Sequence, residues 1–191
     1  MSDETSRHDR LSSRATPGPR NSLMHWPETR HPLRIVVNFL VVWLVRYSPS
    51  LRVKNWLLRR LGADVGVGVA WALTATPDVF WPELLTVGDD AIIGYDATLL
   101  CHEYLQDEVR TGEVVVGERA MIGAGAVVLP GVEIGANAQV AANSLVDSDV
   151  PPGATVAGVP ADVVSKPDDS TTSDADSTTS DADSTTSERE A

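Results

Sequence analysis

The sequence predicts an all-β solenoid, a parallel β-helix of short strands. Three observations predict it: branched aliphatic residues recur every six positions, small residues follow at a fixed offset, and glycine sits beside many of the branched positions. Stepping by six from Val69 gives Ala75, Trp81, Val87, Ile93 and Leu99. Stepping from Val116 gives Ile122, Val128, Ile134, Val140 and Val146; ten of these twelve are Val, Ile or Leu. Four residues after each lies a second class: Leu73, Val79, Leu85, Ala91, Ala97, Glu103, Ala120, Ala126, Val132, Ala138, Ser144 and Val150. An α-helix repeats at about 3.6 residues and a half-buried strand at about 2, so neither produces a six.

Six residues make one short strand and one corner, and three hexads make a triangular coil. Stacked coils form parallel sheets with strands about 4.8 Å apart. The branched residue then points inward from a flat face. The small residue fills the narrow corner, where close packing excludes a large side chain. Gly88, Gly94, Gly117, Gly123 and Gly135, next to the branched class, are expected to relieve the corner backbone. The beat places the solenoid over residues 63–164, unbroken from 69 to 104 and again from 116 to 151. Residues 105–115 break it and read as a loop thrown from a corner; long loops in compact folds are usually functional or disordered.

Three flanking segments complete the organisation. Residues 1–30, polar and rich in Ser, Thr, Arg and Pro, read as a disordered arm. Residues 31–61 read as two helices separated at Ser48-Pro49-Ser50. The apolar run from Leu33 to Val45 would span roughly 20 Å as a helix, short of a bilayer's hydrocarbon core. These helices are expected to cap the end of the solenoid, and a peripheral membrane contact through 33–61 is the competing reading because basic residues flank the apolar runs. Residues 167–191 repeat Asp-Ser-Thr-Thr-Ser-Asp-Ala without Leu, Ile or Phe and read as a disordered, solvated acidic tail.

The net charge of −12 argues against a nucleic-acid partner, which needs a basic face. Thirteen Arg against two Lys, in an acidic chain, fit a protein of a high-salt (halophilic) cytoplasm or simply an acidic protein with an acidic tail. Cys101 is the only cysteine, so no intrachain disulfide and no CxxC metal pair forms. With no apolar signal segment in residues 1–30, a reducing, cytoplasmic location is expected.

Specific motifs lie on this frame: Val116-Gly-Glu-Arg-Ala-Met-Ile-Gly-Ala-Gly-Ala-Val-Val-Leu-Pro-Gly-Val-Glu-Ile-Gly135, Asp149-Val-Pro-Pro-Gly153 and Val156-Ala-Gly-Val-Pro-Ala161. Through them the chain resembles the hexapeptide-repeat acyltransferases, in particular the maltose and galactoside O-acetyltransferase type, over about residues 63–164. The resemblance implies a left-handed β-helix, a homotrimer with sites between subunits, and acetyl-CoA (or another acyl-CoA) as co-substrate. It further implies transfer to a hydroxyl or amine of a small acceptor, a sugar or sugar derivative. A His preceding the extruded loop is the family's general base; here that is His102, in Leu99-Leu-Cys-His-Glu-Tyr104. Glu103 replaces the family's usual Pro.

The resemblance carries Gly123, Ala124, Ala141 and Ala142 over as positions along pantetheine, although corner geometry would also select them. Asp147-Ser148 and Asp162 stand where the galactoside enzymes carry basic residues toward the nucleotide end. Ser148 therefore remains as a cofactor position, with Lys166 the nearest cation and Arg119 another. The family's acceptor-binding Asn has no counterpart between residues 56 and 136; Asp78, Tyr95 and Trp81 are the substitutes, with Glu103 as a further acceptor contact, a side chain that orients the imidazole, or a solvated one. Cys101 reads as a buried thiol rather than a nucleophile. A zinc-dependent carbonic anhydrase on the same solenoid would need more histidines than the single His102 of the repeat region, so no metal is expected. A non-catalytic scaffold or sugar-binding solenoid is the remaining alternative.

Overall fold

Two-residue strands cannot hold a sheet by themselves; here they do so by stacking. The computed structural model describes residues 7–166, and the expectation for the tail at 167–191 lies outside them. Three parallel sheets form the sides of a prism. The first stacks Asp64–Val65, Leu85–Val87, Val114–Val116 and Glu133–Ile134. The second stacks Ala70–Trp71, Ile92–Ile93, Met121–Ile122, Gln139–Val140 and Thr155–Ala157, closed by the antiparallel Asp162–Ser165. The third stacks Thr98–Leu99, Val127–Val128 and Leu145–Val146.

The inward branched residues register directly, Ile93 on Ile122 on Val140 on Val156, and Leu99 on Val128 on Val146. Two residues before each, the smaller class is buried as well, including Ala91, Ala97, Ala120, Ala126, Ala138 and Ser144. From Val87 onward this matches the predicted frame.

The first coil departs from it. Val65 pairs with Val87, twenty-two residues on, whereas Ile122 pairs with Val140, eighteen on. Four extra residues therefore interrupt the chain between Thr76, which bridges to Thr98, and Leu85. Val69 and Ala75 belong to the small column and Trp71 to the branched one, while Leu73 is exposed and Trp81 lies in the insert. A six-residue count taken through an insertion of four lands on inward residues of the wrong class, which is why the beat looked continuous.

The glycines need a different reason from the one expected. None of Gly88, Gly94, Gly117, Gly123 and Gly135 has a left-handed φ; instead the next coil's backbone lies against each, and a Cβ on Gly117 would stand 2.5 Å from the Ala136 nitrogen. The left-handed torsions fall two residues later, at Asp90, Asp96, Arg119, Gly125 and Asn137, and likewise at Asn143 two residues after Ala141. Asp and Asn tolerate that region better than other side chains.

Among the described residues three α-helices precede the solenoid: α1 (Trp26–Thr29), α2 (Pro32–Tyr47) and α3 (Leu51–Leu61). Pro32 starts α2 at its first turn, and His31 Nδ1 accepts from Leu33 N. Ser50 caps α3, and Gly62 ends it with φ 103°. The first coil has no strand below it, so its outward carbonyls need donors. α3 supplies them: Lys54 Nζ to Trp71 O (3.0 Å) and Ala72 O (2.9 Å), Asn55 Nδ2 to Val69 O, and Arg59 to the carbonyls of Val65 and Gly66. From α2, Asn38 Nδ2 donates to Val79 O at 2.8 Å. Among the described residues no helix is long and apolar enough to cross a membrane.

The arm expected to be disordered is structured from Arg7 onward. Ser12–Ala15 pairs antiparallel with Glu108–Thr111, which pairs antiparallel with His102–Tyr104. The predicted loop is thus a hairpin that starts at His102 and is widened by the arm to three strands. Arg7 donates to Pro130 O at 3.1 Å, and Arg10 reaches Gly131 O and Asp149 Oδ1, the latter at 2.5 Å. Composition failed here because the arm uses backbone pairing and arginine forks rather than an apolar face of its own.

Candidate active site

The two departures from the hexad frame meet at one place. The insert after Thr76 carries Asp78, Phe80 and Trp81, and the hairpin carries His102 and Tyr104. Asp78 is buried, its side chain fully so. Its Oδ1 accepts from the backbone N–H of Phe80 (2.7 Å) and Trp81 (2.8 Å), and its Oδ2 from Cys101 N (2.7 Å). These three backbone donors fix the orientation of the carboxylate.

The remaining contact is His102 Nδ1, 2.5 Å from Asp78 Oδ2. With the carboxylate as acceptor, Nδ1 is the donor of this bond and Nε2 is the imidazole's open position. The imidazole is enclosed by rings: Phe80 at 4.8 Å, Trp81 at 5.1 Å and Tyr104 at 5.4 Å between centroids. Trp26 meets Phe80 edge-on at 6.3 Å. Tyr104 Oη and Thr29 Oγ1 share a 2.8 Å hydrogen bond, and burial pushes the Tyr104 phenol up from its ordinary pKa. Arg30 lies over Trp81, donates to Phe80 O and pairs with Glu83; burial lowers its pKa. The site is an anchored imidazole in an aromatic wall, roofed by residues of the arm.

The other predicted positions divide. Asp78 is brought to His102, but as the imidazole's partner: with its oxygens occupied and its side chain inaccessible, the reading of it as an acceptor contact is corrected. Glu103, one position along an extended strand, is only partly exposed and makes no contact with the imidazole. It pairs with Arg7 at 3.6 Å and is also corrected as an acceptor contact. Tyr95 is exposed on the corner between Ile92–Ile93 and Thr98–Leu99, outside the ring cluster around His102. Cys101 is buried, and burial with the nearby Asp78 charge drives its thiol pKa far up.

Gly123 and Ala124 stack under Ala141 and Ala142 at one corner of adjacent coils, where Asn143 N donates to Ala124 O. Ser148 lies with Asp147, Asp162 and Arg7 around a cavity of about 370 Å³. Lys166 is exposed at the last described position, and Arg119 Nε donates to Asn137 Oδ1. Phe80, Tyr104, Trp26, Thr29 and Arg30 were not singled out by the sequence reading. Pro77-Asp-Val-Phe-Trp-Pro82 was a usable signal, since two adjacent aromatics break the small-residue rule of the repeat. Among the described residues no group of three or more His, Cys, Asp or Glu is arranged to hold a metal ion.

Comparison with known proteins agrees with this architecture. Residues 113–148 match the family described as bacterial transferase hexapeptide (six repeats). The Bacillus subtilis protein named "Putative acetyltransferase YvoF" is 46% identical over 145 residues, covering 75% of this chain and 84% of that one. A Staphylococcus aureus protein of the same description is 36% identical over 128 residues, covering 66% and 80%. Among solved structures, a hexapeptide-repeat acetyltransferase from Vibrio cholerae superposes with a TM-score of 0.56 at 23% identity, covering 70% of this chain and 89% of that one. A galactoside acetyltransferase in complex with coenzyme A gives 0.54, also at 23% identity, covering 74% and 82%. Extended identity to the two sequence relatives, on the repeat fold those structures share, places this chain in the family of hexapeptide-repeat acyltransferases.

Proposed function

We propose that this chain transfers an acetyl group from acetyl-CoA directly to a hydroxyl of a small acceptor of the sugar class, with His102 as general base. The observation that carries the proposal is the Asp78–His102 hydrogen bond at 2.5 Å. It fixes the tautomer that leaves Nε2 to take the acceptor's proton. The attacking oxygen then forms the new ester bond to the acyl carbon. The thioester C–S bond breaks, and coenzyme A leaves as the thiol, accepting the proton held by the imidazole. Asp78 acts through His102 as a positioning residue.

The rings of Phe80, Trp81 and Tyr104 suit the apolar face of a pyranose, a second reason to favour a sugar derivative. For the donor, the corner of Gly123, Ala124, Ala141 and Ala142 fits pantetheine: the Ala124 and Ala142 N–H groups have no protein acceptor among the described residues. Ser148 and Lys166 are the positions nearest the nucleotide end on this reading. The coil is left-handed and the assembly a homotrimer in which a neighbour's corner faces the His102 hairpin. The acidic, arginine-over-lysine composition calls for assays in molar salt.

The test is thiol release from acetyl-CoA against a panel of sugars, nucleotide sugars and amino acids. Release that depends on a sugar and falls about 10²–10⁴-fold in His102→Ala supports the proposal. Release within about threefold of wild type in that variant removes His102 from the mechanism. Light scattering of a monomer would overturn the trimer.

A further inference from the structure

The helices α2 and α3 satisfy the first coil with one face and leave the other face uncovered. α2 buries only Ile35, Asn38, Val42 and Val45. On its outer side Leu33, Phe39, Leu40 and Trp43 are each more than half exposed, and Trp56 of α3 is 54% exposed. Monomeric proteins rarely expose a contiguous apolar surface of this kind without a partner. Between the two helices lies an open cleft of about 380 Å³ lined by Trp43, Leu44, Tyr47, Ser48, Val53 and Leu57.

Charge identifies the partner. Residues 32–61 carry Arg34, Arg46, Arg52, Lys54, Arg59 and Arg60 and not one Asp or Glu, within a chain of net charge −12. Lys54 and Arg59 are engaged with the first coil, but Arg52 and Arg60 are exposed, and Arg60 lies over the Trp56 ring at 5.2 Å. An acidic protein that places an acid-free, basic segment on an exposed apolar face has the pattern of an interfacial helix pair. Trp43, Tyr47 and Trp56 are the residue types that settle at the headgroup level of a bilayer. A second copy docked face to face about a twofold axis, outside the trimer contacts, would instead oppose arginine to arginine.

We propose that the outer face of α2 and α3 docks on the surface of an anionic lipid bilayer. α2 lies in the interface plane and does not cross it, its Phe39, Leu40 and Trp43 entering the acyl boundary while Arg52 and Arg60 meet phosphate headgroups. Docking does not depend on the proposed acyl transfer. It would nonetheless hold the His102 site beside the membrane, because Arg30, two residues before α2, lies over Trp81.

The experiment is vesicle flotation of the full chain, with phosphatidylglycerol in phosphatidylcholine against phosphatidylcholine alone, at low and at molar salt. Flotation with the anionic vesicles that weakens in salt is expected. Each exposed arginine that meets the surface contributes roughly fivefold to binding at low salt. Phe39→Gln with Trp43→Gln should abolish flotation, and Arg52→Glu with Arg60→Glu should remove its lipid-charge dependence. Both pairs should keep the wild-type melting temperature and thiol release with a water-soluble acceptor. Absence of flotation in every condition overturns the proposal, as does equal binding to neutral vesicles. Wild-type oligomers that the Phe39/Trp43 pair dissociates, without flotation, would assign the face to a second copy and overturn it also.

Discussion

Asp78 and His102 lie twenty-four residues apart in sequence and share a 2.5 Å hydrogen bond. The pairing needs the four-residue insert on one coil and the hairpin on the next. In the proposed mechanism Asp78→Asn keeps the side chain's size but removes the charge that stabilises the imidazolium. We expect turnover to fall by about 10²–10⁴ with little change in the Michaelis constant for acetyl-CoA. A merely structural Asp78 would instead lower the melting temperature and leave turnover per folded molecule unchanged.

The arm makes a second prediction. It pairs with the outer strand of the hairpin, and Ser22 bonds the hairpin tip at Leu105 O and, through its N–H, Gln106 O. Deleting residues 1–25 leaves an unpaired strand edge and opens the side of the site beside Trp26. Limited proteolysis should then cut within 102–111, and the Michaelis constant for the acceptor should rise more than that for acetyl-CoA. Unchanged protease resistance would show that the hairpin holds without the arm.

Lys54 tests the cap. Burial lowers its pKa, yet its ammonium carries two hydrogen bonds to the carbonyls of Trp71 and Ala72. Lys54→Met keeps the apolar stem and strands both carbonyls, which should cost about 1–3 kcal/mol in chemical denaturation. A variant as stable as wild type would mean that water satisfies those carbonyls.

Cys101 should be inert in the folded protein. Its thiol pKa is raised by burial first and by the Asp78 charge second, so the thiolate is scarce at neutral and mildly alkaline pH. Iodoacetamide at pH values of about 7–9 should label the unfolded chain and spare the folded one. The sign for stability follows: the unfolded thiol ionises as pH passes its ordinary value while the folded one stays protonated. This group therefore destabilises the fold progressively above about pH 8.5 and contributes nothing below. Rapid labelling of native protein would place Cys101 in solvent contact.

The hexad from Val87 to Val146 was legible because each inward residue is chosen by its own strand and corner, a local constraint repeated coil after coil. His102 was legible for a related reason: it is the only histidine in the repeat region and falls where the beat stops. The first coil was misread, since Val69 and Ala75 are apolar in either frame, and only the pairing of Val65 with Val87 reveals the insert. Asp78 was noticed but given the wrong partner. Its role depends on the Cys101 N–H and the His102 ring arriving from the next coil, a contact that no periodicity encodes. The arm was read as disordered because composition measures what a segment can bury by itself, whereas Ser12–Ala15 is ordered by a strand nearly a hundred residues away. Sequence by itself determined the repeat, the family resemblance and the choice of His102; the tertiary structure alone decided what holds that imidazole, because the insert, hairpin and arm have no local pattern and meet only when coils stack.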